Sequence, residues 1–172
     1  MEQRRQTRAE WVEAALRRYE APLIRYAAGI VGDEQRARDV VQETFLKLCQ
    51  ARRDDLDDRL AAWLYTVCRN RALDVRKKEG RMGTLDNVDT IANGGDSPHQ
   101  LAARSQAHRR VLRAVDQLPP DQAEAFRLKF ADQLTYREIG QVMGKSLGTV
   151  SNLITAALAT VREQTADAGG VR

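Results

Sequence analysis

The chain has 172 residues, of which 42% are hydrophobic and 30% charged, enough for one medium-sized domain or two small ones. No apolar stretch approaches the roughly 20 residues of a membrane span, and the first residues lack the apolar core of a signal peptide. We therefore expect a cytoplasmic protein without membrane insertion. A net charge of +4 permits a polyanionic partner but does not establish one.

The two cysteines, Cys49 and Cys68, are too few for a disulfide framework or for a zinc site of the usual spacing. Both lie in amphipathic patterns and are expected to be small buried side chains. His99 and His108 are not placed to activate a nucleophile, and no phosphate-binding glycine loop is present. The sequence therefore predicts no metal, no cofactor and no enzymatic activity.

Three stretches before residue 80 repeat apolar residues every three or four positions, which predicts three amphipathic helices. The first carries a stripe of Val12, Leu16, Tyr19, Leu23, Tyr26 and Ile30. Gly32 and Asp33 should end this helix, although Pro22 could mark a kink or an earlier boundary. The second begins after Asp33, with an inner face of Ala37, Val40, Val41, Phe45 and Leu48. The third runs from about Leu60 to Lys78, and the three together predict a small helical bundle.

The composition changes over residues 82–100, which are rich in glycine and contain no Lys or Arg. This segment is typical of a mobile linker, the alternative being an ordered surface loop of a single domain. We predict an N-terminal domain at 8–81, a second helical domain at 101–165 and a tail at 166–172. In the second domain, Asp121 is expected to cap the helix that follows two prolines.

Residues 135–161 have the pattern of two short helices joined by a tight turn. Thr135 and Glu138 form a capping box, Gly144 suits the left-handed end of the first helix, and Ser146 is a natural N-cap for the second. Gly140 is small where the helices would cross. The second helix has an inner face of Val150, Ile154, Ala157 and Val161. This pattern predicts a DNA-reading helix-turn-helix, with a plain helical hairpin as the alternative.

In a helix-turn-helix, the N-terminal residues of the second helix contact bases in the major groove. The outward residues suited to this are Ser146, Thr149, Ser151, Asn152 and Thr155. Gly148 would allow close approach to DNA, while Arg137 and Lys145 would contact phosphates and set the register.

A second basic concentration lies between Arg69 and Arg81, where six cations stand against two acids. It follows the aromatic residues Trp63 and Tyr65. Cations beside aromatic rings suit single-stranded nucleic acid. For this segment taken alone, however, a solvated helix end whose cations complement the helix dipole is the favoured explanation.

Three segments in order resemble the sigma-70 family of bacterial transcription initiation factors, in its extracytoplasmic-function (ECF) group. Residues 39–48 (DVVQETFLKL) resemble the polymerase-binding helix, and residues 63–78 (WLYTVCRNRALDVRKK) the helix that melts and recognises the −10 element. LPPD at 118–121, LTYREIG at 134–140 and SLGTV at 146–150 resemble the −35-binding domain. The resemblance extends from about Trp11 to Glu163.

The resemblance implies an all-α fold of two small helical domains, a region 2 bundle and a region 4 helix-turn-helix, joined by a flexible linker. It assigns binding of core RNA polymerase, through the β′ clamp helices, to Asp39, Gln42, Glu43 and Leu46. It assigns −10 DNA contacts to Trp63, Tyr65, Arg69, Asn70, Arg71, Arg76, Lys77, Lys78 and Arg81. It assigns −35 contacts to the helix-turn-helix residues given above. The β flap of the polymerase, promoter DNA and an anti-sigma factor are the further partners implied.

Two features depart from an ordinary DNA-binding surface. The loop at 51–59, which would capture a flipped base of the −10 element, contains Asp54, Asp55, Asp57 and Asp58. Recognition helices of this family commonly carry several cations, but residues 151–159 carry none. Because phosphate contacts supply most non-specific affinity, we expect weak −35 binding by the C-terminal domain alone. Two alternatives stay open: a helix-turn-helix regulator acting without polymerase, and a sigma-like interaction protein.

Overall fold

The structure, a computed structural model, describes residues 7–56, 58–80 and 98–167, with the backbone alone for residues 98–105 and 167. These residues form seven α-helices and one short 3-10 helix, and no strand occurs among them, so the predicted all-α class is confirmed. The chain divides into two compact units, Met1–Asp89 and Thr90–Arg172. In the described ranges, every helix is too short or too polar to cross a bilayer.

The N-terminal unit contains helices α1 (Arg8–Val31), α2 (Glu34–Gln50) and α3 (Leu60–Glu79), with a 3-10 helix at Arg53–Asp55 between the last two. Each of the three α-helices packs against the other two. The predicted three-helix bundle is therefore confirmed.

Local signals define the ends of α1. Thr7 and Glu10 form a reciprocal capping box at its start, and Gly32 ends it in the left-handed conformation, with φ of 75°. The helix continues through Pro22 and ends where the sequence predicted, at Gly32, so Pro22 is not an earlier boundary. Leu23 and Tyr26 are buried in the next turn, and this packing offsets the backbone hydrogen bond that proline cannot donate.

The buried face of α1 differs from the predicted stripe. Leu23 and Tyr26 are buried as expected, but Val12, Leu16, Tyr19 and Ile30 are only half-buried. The remaining core positions of this helix are Trp11, Ala15, Ala27 and Val31. The difference arises because α1 packs against two helices, which widens and rotates its buried face. The predicted inner face of α2 is buried at every position.

The C-terminal unit contains α4 (Pro98–Asp116), α5 (Pro120–Phe130), α6 (Tyr136–Met143) and α7 (Leu147–Asp167). One cluster of its core joins α4, α5 and α7 through Ala114, Val115, Leu118, Ala123, Ala157 and Val161. Helix α4 begins inside the segment predicted as linker, with a proline in the first turn, where its missing N–H is not needed. Helix α7 extends into the predicted tail, and residues 81–97 and 168–172 lie outside the described residues.

Candidate docking and nucleic-acid interfaces

The outer face of α2 presents one apolar and two polar side chains side by side. Asp39, Gln42 and Leu46 are exposed, and Leu46 retains 57% of its accessible surface. At about 100° per residue, the three lie within about 60° of the helix circumference. A single exposed leucine means little, but here it lies between polar groups on a face that neither α1 nor α3 covers. The arrangement suits a protein partner that supplies an apolar contact and hydrogen bonds.

Glu43, on the same face, is paired with Arg71 of α3. The Arg71 Nε donates to Glu43 Oε2 at 2.5 Å, and Nη2 donates to Oε1 at 2.9 Å. This hydrogen bond, with the positive charge of Arg71, lowers the pKa of the Glu43 carboxyl below its ordinary value. Because the pKa is lower in the folded state, the pair stabilises the fold above the ordinary pKa range of glutamate, and this contribution is lost as the pH falls through the lowered pKa.

Helix α3 exposes four of the eight described residues that were predicted to contact −10 DNA. Asn70, Arg76, Lys77 and Lys78 are exposed, and Trp63 and Arg69 are half-buried. Three of the cations lie in the last turn, where they also complement the helix dipole. Arg81 lies outside the described residues.

Tyr65 does not match its predicted role. It is only 1% exposed and packs edge-to-face against Tyr26, with ring centroids 5.2 Å apart. A ring enclosed in this way cannot stack on a nucleic-acid base. Tyr65 is a core residue of the bundle, because its position on α3 faces α1.

The loop between α2 and α3 is held by contacts that the sequence did not predict. The Arg8 Nη2 donates to the carbonyl of Cys49 and, at 2.7 Å, to that of Ala51. The Arg53 guanidinium lies 5.9 Å from the centre of the Trp11 ring. No spacing rule links these residues, because Arg8 and Ala51 are 43 positions apart.

The acids of this loop point outward. Asp54, Asp55 and Asp58 are exposed, while Leu56 anchors the loop in the core at 4% exposure. Asp57 lies outside the described residues. An acidic outer surface repels the DNA backbone, so these three carboxylates are poor candidates for phosphate-facing positions.

The predicted caps of the helix-turn-helix are all present. Thr135 and Glu138 form the capping box of α6, and Gly144 ends this helix with φ of 64°. The Thr149 N–H donates to Ser146 Oγ at 3.2 Å, so Ser146 caps α7. The inner face predicted for α7 is buried at every position.

Gly140 marks the point where the turn crosses α6. A Cβ at this residue would lie 2.8 Å from the carbonyl oxygen of Lys145. A Cβ at Gly148, by contrast, would meet nothing within 4 Å. The fold itself therefore requires glycine at position 140 but not at position 148.

The exposed face of α7 is uncharged near its N-terminus. Thr149, Asn152 and Thr155 are exposed and Ser151 is half-buried. The Ser146 and Thr149 hydroxyls lie 2.8 Å apart, so each already has one hydrogen-bond partner within the cap.

The cations predicted to contact phosphates differ in their surroundings. Arg137 is exposed, whereas Lys145 Nζ lies 2.9 Å from Asp121 Oδ2 with its side chain 27% exposed. Asp121 does not cap α5 as predicted: the N-cap residue is Pro119, without a side-chain bond, and Asp121 lies in the first turn. The Asp121 carboxylate therefore neutralises the cation nearest the turn.

The described residues contain no group of three or more His, Cys, Asp or Glu side chains that could hold a metal ion. Cys68 is buried as predicted, but Cys49 is exposed, because its position on α2 lies on the outer face of the bundle. His108 is exposed on α4, and the His99 side chain lies outside the described residues.

Comparison with known proteins links both units to one family. Residues 15–82 match the family model described as sigma-70 region 2, and residues 108–161 match that of sigma-70 region 4. An ECF RNA polymerase sigma factor SigE of Mycolicibacterium smegmatis is 28% identical over 81% of this chain and 55% of its own length. The ECF RNA polymerase sigma-E factor of Salmonella typhimurium (strain 14028s) is 32% identical over 67% of this chain and 66% of its own length. The chain thus spans between about half and two thirds of these relatives.

One solved structure has the same fold. The sigma factor RpoE of Bartonella quintana, crystallised with the anti-sigma factor NepR, gives a TM-score of 0.67 at 24% identity. The match covers 88% of this chain and 94% of that one.

Proposed function

The chain belongs to the ECF group of the sigma-70 family, and on this premise we propose that it binds core RNA polymerase and directs promoter-specific initiation of transcription. The observation that carries the proposal is the exposed face of α2, where Asp39, Gln42 and Leu46 lie side by side within the region 2 match. These residues, with Glu43, would dock on the β′ clamp helices. The family consists of initiation factors rather than enzymes, in agreement with the prediction from sequence.

DNA recognition is assigned to both units within this proposal. Trp63, Asn70 and the exposed cations of α3 would contact the −10 element at the junction of duplex and melted DNA, where aromatic rings can stack on bases and cations can neutralise phosphates. Helix α7 would read the −35 element through Thr149, Asn152 and Thr155. The family resemblance supplies both assignments, and the exposure and chemistry of these side chains support them.

Two further partners complete the proposal. The C-terminal unit would contact the β flap of the polymerase, and an anti-sigma factor would hold the chain inactive. The complex of the Bartonella RpoE with NepR concerns that protein, and it motivates a search for such a partner here. All of these interactions would take place in the cytoplasm.

Run-off transcription on a promoter library, with core polymerase in the presence and absence of the chain, tests the proposed function. We expect new start sites that require the chain and that disappear with Asp39→Lys or Gln42→Ala. The first change reverses a charge on the docking face and the second removes a hydrogen-bonding group, and neither disturbs the core, because both residues are exposed. DNA footprints obtained without polymerase would instead favour the alternative of a helix-turn-helix regulator that acts without polymerase. A chain that yields neither start sites nor footprints would favour the interaction protein.

The Lys145–Asp121 pair leads to a prediction on DNA affinity. The chain should bind −35 duplex DNA weakly, and Asp121→Asn should strengthen binding by about two- to tenfold, because Lys145 then becomes available to a phosphate. Fluorescence anisotropy of the whole chain on a labelled duplex at several salt concentrations measures this change. In a Lys145→Ala background, Asp121→Asn should have no effect. An equal gain in that background would show that the loss of a negative charge acts without Lys145.

A further inference from the structure

Arg71 lies in the basic segment of α3, but its guanidinium faces α2 rather than solvent. Both of its hydrogen bonds given above end on one carboxylate, that of Glu43, in a two-point geometry. Its side chain is 28% exposed, whereas Asn70 and Lys77 on the same helix are exposed.

The helical position of Arg71 explains this orientation. Seven residues correspond to nearly two turns, so Arg71 lies almost directly in line with Leu64, which is fully buried. It therefore borders the packed side of α3. Lys77, six residues after Arg71, is turned by about 120° away from this side.

Glu43 remains open to a partner despite its pair with Arg71. Its side chain is 44% exposed, and a carboxylate can accept about four hydrogen bonds, of which Arg71 donates two. The hydrogen bond with Glu43 also raises the pKa of Arg71, so both groups stay charged at neutral pH. An immobilised carboxylate loses less side-chain entropy on binding than a free one.

We propose that Arg71 is a positioning residue of the polymerase-docking face rather than a DNA-contacting residue, and that it holds the Glu43 carboxylate in place beside Gln42 and Leu46. The proposal rests on the proposed function and replaces the −10 DNA contact that the family resemblance implied for Arg71. The remaining acceptor sites of Glu43 would receive a cationic or N–H donor group of the polymerase.

Two measurements separate a docking role from a DNA-contacting role. The first is the affinity of the whole chain for core polymerase without DNA, and the second is the salt dependence of promoter binding by the assembled holoenzyme. Arg71→Ala should weaken core binding about tenfold and leave the salt dependence unchanged. Arg71→Lys should weaken core binding nearly as much, because lysine cannot make two parallel hydrogen bonds.

Lys77→Ala, on the exposed side of the same helix, provides the contrasting variant. It should leave core affinity unchanged and reduce the slope of promoter affinity against salt by about one unit. If Arg71→Ala instead leaves core affinity unchanged and reduces the salt slope, Arg71 contacts DNA and the proposal is wrong.

A charge exchange distinguishes positioning from simple stabilisation. In the double variant Glu43→Arg with Arg71→Glu, the ion pair re-forms, so the melting temperature should be higher than that of Arg71→Ala. Core binding should nevertheless stay weak, because the docking face now presents a cation. Recovery of core binding would show that the pair only joins two helices, and would overturn the proposal. If the unmodified chain does not bind core polymerase, the proposed function fails and this proposal with it. Normal core binding by Arg71→Ala overturns this proposal alone.

Discussion

Gly140→Ala is expected to lower the free energy of unfolding of the helix-turn-helix by about 1–3 kcal/mol. The new Cβ would lie 2.8 Å from the Lys145 carbonyl oxygen, and this atom belongs to the backbone, so it cannot rotate away. The Lys145 N–H also donates to the Gly140 carbonyl at 2.9 Å, which fixes the distance between the two segments. Relief of the clash would therefore displace the turn that sets α7 against α6.

Hydrogen exchange of the α7 core amides, such as those of Ile154 and Ala157, measures this loss in the whole chain. Their exchange should accelerate roughly tenfold to a hundredfold, since each 1.4 kcal/mol corresponds to about a factor of ten. The fluorescence of Trp11 and Trp63 reports on the N-terminal unit and should not change.

Gly148→Ala is the matched control. Its Cβ would lie in open space within a helix, so this variant should be more stable by up to about 1 kcal/mol. Equal acceleration of exchange in both variants would show that the close approach at Gly140 does not control stability. If Gly148→Ala stabilises the unit but weakens duplex binding, the glycine serves contact with DNA rather than the fold.

The elements with strong local signals could be predicted from sequence. The capping box at Thr135 and the left-handed residue at Gly144 depend on a few neighbouring side chains, and both are confirmed. The buried face of α7 follows from helical periodicity alone. These features depend on residues within one or two turns of each other, which is the range that sequence patterns describe.

Contacts between distant residues could not be predicted. Periodicity places Tyr65 and Arg71 on the same helix as the exposed cations, but it cannot show which neighbouring helix each one meets. The first packs against Tyr26 in the core, and the second binds Glu43, 28 positions earlier. A basic segment in a sequence therefore includes residues with different roles, and only the packing of the three helices separates them.

The candidate site was predicted as a set of residues, and the structure adds how they are arranged. The exposure of Asp39, Gln42 and Leu46 agrees with a docking face, although their roles stay a prediction. The sequence predicts a phosphate contact for Lys145, but the structure pairs this lysine with Asp121. This pair adds to the effect of α7 having few cations. Both features favour a C-terminal unit that binds DNA only as part of a larger assembly.

Leu46→Glu is expected to weaken core polymerase binding by about thirtyfold or more and to abolish chain-dependent run-off transcripts. The side chain is 57% exposed in the free chain, so the expected loss is at the interface rather than in the fold. A leucine buried at the centre of an interface can contribute 2 kcal/mol or more, and a carboxylate placed there would be desolvated without a partner. Anisotropy of a labelled chain titrated with core polymerase measures the affinity.

Thermal unfolding distinguishes loss of docking from loss of structure. Leu46→Glu should unfold at nearly the wild-type temperature, because surface changes usually alter stability by less than about 0.5 kcal/mol. Ala14→Glu, which adds the same charge at an exposed position of α1, should retain core binding. Comparable weakening by both variants would attribute the effect to net charge. Wild-type affinity in Leu46→Glu would show that Leu46 makes no apolar contact with the polymerase. The docking face would then act through the polar contacts of Asp39, Gln42 and Glu43 alone.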